Sequence, residues 1–582
     1  ESQIKTYYQR ILFFSFLTKD KVASLDDILS VIDKDENIRL SKNLFLDKGI
    51  IEKISKVMDP FKRSRLDYKI QNISMLACDE SVTPLTRAMT SIKKFNRMSE
   101  SEVITPSKVC DEMVYLLPEE GLKEIVFKQD KLLDIASKSG EYAVSLYKRL
   151  TSELGYSHED VRDIIYSIPT SSIAYEFTRR FYEILDLNVE NIAMEFNAYD
   201  LINVKNEKNE VDYDKIKSLL EQDKAFSEIS INDKLKEGEK KVKFRAVVGN
   251  PPYQENNKNR NRDDSIYNLF YDIVFSISNI SCLITPARFL FNIGSTSKKW
   301  NEKMLNDKNF KVCRYEAKST NFFPDVDIKG GIIISYRDTD KIIGPIGDFI
   351  AHGELKNVLN KVKAIDDINV FGDIMYVQNK FNLNSLYNSF PKYKKILGNG
   401  GKERRLISSI FDLIPELFST EKTQNTEYGI VGRQNNVRIV KYVSQDFIED
   451  NGNLHKYKVI LPAANGSGAI GEVLSTPLIG EPLIGHTQTF ISLGAFDNEN
   501  EANALLKYIK CKFTRALLGI KKTTQNNKSK ETWSMIPMQN FSEASDIDWD
   551  KSIHEIDLQL YKKYKLNDEE IQFIESKIQS ME

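Results

Sequence analysis

The six residues Phe244 to Gly249, FRAVVG, run directly into Asn250-Pro251-Pro252-Tyr253. Two successive prolines remove two backbone donors and lock φ, so neither a strand nor a helix continues through them. An apolar strand therefore stops dead at Asn250. Beyond it the chain makes a stiff, open turn that holds the Asn250 side chain, the Pro251 carbonyl and the Tyr253 ring in fixed relation, an arrangement suited to gripping a ligand.

The chain around this turn is long enough, at 582 residues, for several domains. Its hydrophobic fraction of 41% and charged fraction of 29% are those of an ordinary globular protein. No apolar run approaches a membrane span and no signal-peptide pattern is present, so a cytoplasmic protein without a membrane partner is expected. Cys78, Cys110, Cys282, Cys313 and Cys511 are far apart, with no CxxC and no histidines at ligand spacing. That pattern predicts buried thiols, neither a disulfide frame nor a metal site. The chain begins at Glu1 rather than Met, as expected of a piece of a longer polypeptide.

Residues 1–92 read as helical, with apolar residues at three-to-four spacing in YYQRILFFSFL and DDILSVIDK. From 93 to 345 short β-branched runs alternate with helical segments: KLLDIAS, DIIYSIP, NIAMEF, FRAVVGN, ISCLITP and GGIIISY. This alternation predicts an α/β fold, a doubly wound, mostly parallel sheet with helices on both faces. A polar stretch from Asn206 to Lys243 interrupts it as a helix plus surface loop. Residues 346–582 mix Gly-rich turns with strands and a helical end, and read as a separate α+β domain.

In open α/β sheets ligands bind beyond the carboxyl ends of the strands. Two loops there stand out, LLDIASKSGEYA and VVGNPPYQ. Together they resemble the S-adenosylmethionine-dependent amino-methyltransferases, whose nucleotide loop has the form D-x-A-x-G-x-G and whose catalytic loop is N/D/S-P-P-Y/F. The resemblance implies a Rossmann-like class I methyltransferase domain, S-adenosyl-L-methionine as cofactor, and Asp134, Ala136 and Gly140 in the nucleotide loop. An adenine amine is conjugated with its ring and is a poor nucleophile until acceptors hold its hydrogens; Asn250 Oδ1 and the Pro251 carbonyl would be those acceptors, braced by Pro252. Tyr253 would stack on a base flipped out of the duplex. The sulfonium carries the reactive methyl, so the chemistry calls for no metal.

Other segments match the family in order. SEVITPSKVCDEMV resembles the motif that closes over the methionine end of the cofactor, with Thr105 and Pro106 at the matching positions; a helix N-terminus is the alternative reading. NFFPDVDIKGGIIISY places Phe323 either against the flipped base or in the core. MEFNAYDLI offers Asp200, or Asn197 beside it, to the cofactor's adenine. Asn250 would touch the cofactor as well as the base. Two departures point to weakened cofactor affinity. Lys138 stands where the family has its first glycine, at about 1 kcal/mol if that position needs positive φ, and DIIYSIP ends in Pro169-Thr170-Ser171 rather than an acid for the ribose.

The motif order is that of the gamma class, in which a C-terminal domain recognises the target. The resemblance thus implies a double-stranded DNA partner, an adenine target because Asn rather than Ser leads the catalytic loop, and a restriction-modification system, with a nuclease or helicase module or subunit. Base readout needs Arg, Asn or Gln at a surface. Arg433, Gln434, Asn435 and Arg438 in VGRQNNVRIVKY form one candidate set; Lys521 and Lys522, suited to contacts with the DNA backbone, form another, within a run from Lys507 to Lys530 that holds eight basic residues and no acidic one. Lys258, Arg260 and Arg262, just after the catalytic loop, are placed to clamp a strand. Two alternatives remain open: a DNA-recognition subunit whose methyltransferase fold binds no cofactor, and a protein glutamine methyltransferase, against which the long C-terminal domain counts.

Overall fold

The computed structural model describes residues 2–95, 97, 103–233, 242–255, 264–324, 326–368, 370–398, 404–466, 468, 470–522 and 525–582. The chain divides into two compact units, Glu1–Gly347 and Asp348–Glu582.

In the first unit, β1 (Lys131–Ser137), β2 (Ile165–Pro169), β3 (Phe244–Gly249), β4 (Ile280–Pro286), β5 (Phe310–Glu316) and β6 (Ile332–Asp338) form one sheet in the order β2-β1-β3-β4-β6-β5. β1 lies parallel to β2 and β3, and β3 parallel to β4, while β6 runs antiparallel between β4 and β5. Leu132 through Ser137 are all buried, as expected of a central parallel strand covered on both faces. After β1 the chain moves outward to β2, then returns across β1 to lay down β3 on its other side. The winding therefore reverses between β1 and β3, the place where open α/β sheets bind their ligands, beyond the carboxyl ends of the strands.

This is the Rossmann-like, mostly parallel α/β sheet that the alternation predicts, with two changes: β5 is a strand that the apolar runs did not mark, and NIAMEF is not one. NIAMEF makes only a single parallel bridge, Ile192 to Ser167. A 3-10 turn at Val189–Asn191 enters that segment and the Asn197 cap ends it, leaving too few residues for a strand.

Helices α1 (Ser2–Leu17), α2 (Asp35–Asn43), α3 (Pro60–Cys78) and α4 (Pro84–Ile92) precede the sheet. α3 and α4 start on Asp59 and Thr83 caps, each followed by proline at the first helical position. Further along the chain come helices α5 (Ser107–Tyr115), α6 (Glu141–Lys148), α7 (Ser172–Leu185), α8 (Ala198–Leu201) and α9 (Tyr267–Ile277). The N-terminal helices share a core with the sheet: Phe13 and Phe16 of α1 lie 4.9 and 5.8 Å from the Phe177 ring of α7, with Phe95 at 5.0 Å. Such ring pairs add roughly 0.5–1.5 kcal/mol each beyond area burial, which ties α1 firmly to the layer covering β1. Within the polar stretch from Asn206 a helix at Tyr213–Leu220 forms, and residues 234–241 lie outside the described residues.

In the second unit β7 (Tyr428–Gln434) pairs with β8 (Val437–Val443) as a hairpin, and β7 also pairs with β11 (Ile484–His486). A second sheet joins β10 (Leu478–Gly480), β9 (Tyr457–Pro462) and β12 (Phe490–Phe496) with Met375–Tyr376. Helices α10 (Glu499–Lys510), α11 (Lys512–Lys521), α12 (Ile553–Lys563) and α13 (Asp568–Lys577) complete it, around a core that includes fully buried Trp533.

Candidate active site

The winding reversal places the loop after β1 beside the loop after β3. Gly249 permits their close approach: a Cβ there would lie 2.8 Å from Ile135 Cγ2 and 3.4 Å from Ile135 N on β1. Asn250 comes next, only 4% exposed, and Pro251 and Pro252 are buried behind it. Three polar contacts hold the turn. Asn250 Nδ2 donates to Thr105 Oγ1 at 3.2 Å. The Lys138 ammonium, 5% exposed, donates to the Asn250 carbonyl at 2.6 Å across 112 residues of sequence. Tyr142 Oη donates to the same Thr105 hydroxyl at 3.3 Å.

The loop between β1 and α6 is drawn tight around Glu141. Its Oε2 accepts from Ser139 N at 2.8 Å, Ser139 Oγ at 3.1 Å and Lys138 N at 3.3 Å, while Oε1 takes Thr105 N at 3.5 Å. Gly140 sits at φ +80°, a left-handed conformation that favours glycine, and its N–H donates to Ser137 Oγ at 2.9 Å. Lys138 is absent from the positive-φ residues, so the strain expected of a side chain there does not arise. Asp134 is fully buried, and neither carboxylate oxygen has a hydrogen-bond partner in bonding geometry among the described residues. Burial pushes this carboxyl well above the usual carboxylate range and the Glu141 charge adds to the push, with Ser137, Lys138 and the Ala136 backbone acting the other way. A buried carboxyl with oxygens left outside good bonding geometry is a site that a hydrogen-bonding ligand would satisfy.

Thr105, Asp134, Ala136, Gly140 and Asn250 thus come together. Thr105 does not cap α5; Pro106 takes the cap position and Thr105 spends its hydroxyl on Asn250 and Tyr142. Tyr253 is half-buried, with a buried hydroxyl that lacks a partner among the described residues. Phe323 is 2% exposed and packs in the core beside Phe322, the second of its two readings. Its backbone N–H donates to the Ser319 carbonyl at 2.8 Å.

Asp200 and Asn197 lie elsewhere, in a cavity of about 330 Å³ beyond the end of β2, large enough for a small ligand. Asn197 and Asp200 form a capping box at α8, with Asp200 Oδ2 accepting from Asn197 N at 2.9 Å. Ser171, Tyr175, Glu195 and Arg39 also line this cavity. Sequence reasoning missed Glu195 and Arg39. The acid closing the apolar run NIAM was the available signal for Glu195, whereas Arg39 arrives from α2, far away in sequence.

Lys258, Arg260 and Arg262 lie outside the described residues. In the second unit, Asn435 and Asn436 turn the β7–β8 hairpin with φ of +50° and +62°, the conformation that two-residue hairpins require. Arg433 is exposed and faces Arg438 across the strands. Gln434 donates to Asp412 at 2.6 Å and Arg438 to Thr476 at 2.7 Å. Lys521 and Lys522 overturn the reading of the basic run. Each is 6% exposed; Lys521 pairs with Asp348 at 2.9 Å and Lys522 donates to the Asn465 carbonyl at 3.1 Å, so neither ammonium is presented to a phosphate. Lys521 lies on the buried face of α11, and Lys522 is the residue that ends the helix. Among the described residues no group of three or more His, Cys, Asp or Glu is placed to hold a metal, and no helix is long and apolar enough to cross a membrane.

Residues 163–323 match the Eco57I restriction-modification methylase family. The match takes in β2, the Asn250 loop and Phe323, and begins after Thr105, Asp134 and Gly140. An uncharacterized adenine-specific methylase of Mycoplasma pneumoniae (strain ATCC 29342 / M129) is 26% identical over 126 residues, which is 20% of this chain and 30% of that relative. This chain therefore aligns with less than a third of that relative's length. Among solved structures, the type IIL restriction-modification enzyme MmeI in complex with DNA is 10% identical, with 88% of this chain and 84% of that one covered at a TM-score of 0.44. The ATP-dependent type ISP restriction-modification enzyme LlaBIII bound to DNA is 14% identical, with 84% and 39% covered at a TM-score of 0.40.

Proposed function

We propose that this chain is the modification component of a restriction-modification system, an S-adenosyl-L-methionine-dependent methyltransferase that acts on the 6-amino group of adenine in double-stranded DNA. The observation that carries the reading is Asn250, seated where the winding reverses and held from both sides. Its amide nitrogen is committed to Thr105 and its carbonyl to Lys138. That leaves Asn250 Oδ1 and the Pro251 carbonyl as the acceptors for the two hydrogens of an incoming amine, drawing its lone pair out of conjugation. The Tyr253 ring would stack on the flipped base, offsetting part of an unstacking cost of a few kcal/mol. The match to the Eco57I restriction-modification methylase family over this segment supports the same chemistry.

The residues present fit the cofactor. The buried Asp134 carboxyl suits a hydrogen-bonding group of the cofactor, Gly140 keeps the loop low, and the cavity beyond β2 offers Asp200 and Glu195 to an adenosine's amine and hydroxyls. Glu195 would then supply the ribose acid that the end of β2 lacks. When bound, S-adenosylmethionine supplies an electrophilic methyl. The chain's own residues orient the amine, exclude water and hold its protons at Asn250 and Pro251. Arg433 and Asn435 at the hairpin are the proposed readers of the target, with a nuclease or helicase as partner module or subunit and the cytoplasm as the site of action.

Expression in cells free of DNA methylation, followed by mapping of modified bases, tests this. Modified adenines in one short motif are expected, and none with Asn250→Ala. No modified adenine with the parent chain, or the same pattern with Asn250→Ala, would overturn it.

A further inference from the structure

We infer that Lys138 is a positioning residue for methyl transfer: its buried ammonium, bonded to the Asn250 carbonyl, sets the orientation of the acceptor turn. This rests on the methyltransferase reading of the same site. The physical case starts from the prolines. The Asn250–Pro251 and Pro251–Pro252 peptides have no N–H, so each can be anchored only through its carbonyl. The Pro251 carbonyl must stay available to the amine. The Asn250 carbonyl is thus the handle through which backbone hydrogen bonding can hold the turn, and Lys138 Nζ takes it at 2.6 Å, a short charge-assisted bond in a dry setting.

The contact also closes a loop of restraints. Glu141 fixes the Lys138 and Ser139 amides and reaches Thr105 N; Thr105 Oγ1 accepts from Asn250 Nδ2; Lys138 Nζ returns to Asn250 O. The cofactor loop and the acceptor turn are therefore fixed to one another by side chains from both. A glycine at position 138 leaves the Asn250 side chain held and its peptide plane free to rock. The buried Asp134 carboxyl lies close enough to the ammonium for the two to interact electrostatically, and Glu141 holds the Lys138 backbone N–H. A lysine in this loop thus strengthens the geometry of the turn instead of merely crowding the cofactor.

The test uses the full chain with Lys138→Met. Calorimetric S-adenosylmethionine affinity should change by less than about threefold, while the single-turnover methylation rate at saturating cofactor falls roughly ten- to a hundredfold, the loss expected of a misplaced reacting group. Hydrogen exchange gives a readout free of activity: amides of Gly249, Asn250, Tyr253 and Gln254 should exchange faster in the variant. A weakened affinity with an unchanged saturated rate would make Lys138 a cofactor ligand and overturn the inference, as would no change in either. If the parent chain methylates nothing, the functional reading fails on its own, and exchange alone decides: faster turn amides uphold the brace, unchanged ones refute it. Should Lys138→Met fail to fold, Lys138→Gln, with an uncharged donor on a shorter arm, takes its place under the same outcomes.

Discussion

Gly249→Ala is the sharpest probe of how β1 and β3 position the site. The added Cβ would fall 2.8 Å from Ile135 Cγ2 and 3.4 Å from Ile135 N. Carbon atoms in contact sit about 3.5–4.0 Å apart, so the two strands must part by on the order of 1 Å. Ile135 offers no easy escape, because it is fully buried and its branched side chain is stiff at χ1. Overpacking of this kind destabilises by about 1–3 kcal/mol. The displacement occurs one residue before Asn250, where a shift of about 1 Å is expected to slow transfer roughly a hundredfold. Single-turnover methylation, calorimetric cofactor affinity and thermal melting would separate rate, binding and folding. Ile135→Ala removes the methyl that the new Cβ strikes, so the double variant should transfer faster than Gly249→Ala alone. A Gly249→Ala protein with the parent's rate and melting temperature, or a double variant whose losses simply add, would refute the close-approach argument.

Asp134 makes a prediction about pH. Its folded-state pKa is raised from 3.8, chiefly by burial. Above 3.8 and up to that raised value the folded chain holds a proton that the unfolded chain has lost, so stability falls as pH rises through the window. Asp134→Asn should flatten that decline in melting temperature and weaken S-adenosylmethionine binding; an unchanged pH slope would contradict the burial argument. In the second unit, Arg433→Ala is expected to weaken binding to the target DNA by about 1–3 kcal/mol with relaxed sequence preference, measured by competition against non-target DNA. Lys521→Ala should lower the melting temperature through loss of the Asp348 pair yet leave the salt dependence of DNA binding unchanged, and a flatter salt slope would restore it as a phosphate contact.

Local chemistry made much of this protein legible along the chain. A proline donates no ladder hydrogen bond, so two in succession just after Asn250 stop β3 at Gly249, and the apolar run Ala246-Val247-Val248 marks a strand buried on both faces. Patterns that depend on a neighbour far away were not legible. Phe323 stands between an aromatic and a proline, which suits a base platform as well as a core; its burial comes from the packing around it, which its neighbours in sequence do not announce. The run from Lys507 to Lys530 has the composition of a nucleic-acid surface, but helical periodicity buries Lys521, and Asp348 neutralises it. Lys138 is the plainest case. As a residue type it departs from a glycine-rich loop, and nothing near it in sequence tells where its long arm reaches. Its partner lies 112 residues on, brought within 2.6 Å because the winding reverses between β1 and β3. Side-chain identity and backbone donors set where elements stop and what chemistry is available; register and crossover, which are properties of the assembled sheet, decided which of those groups meet.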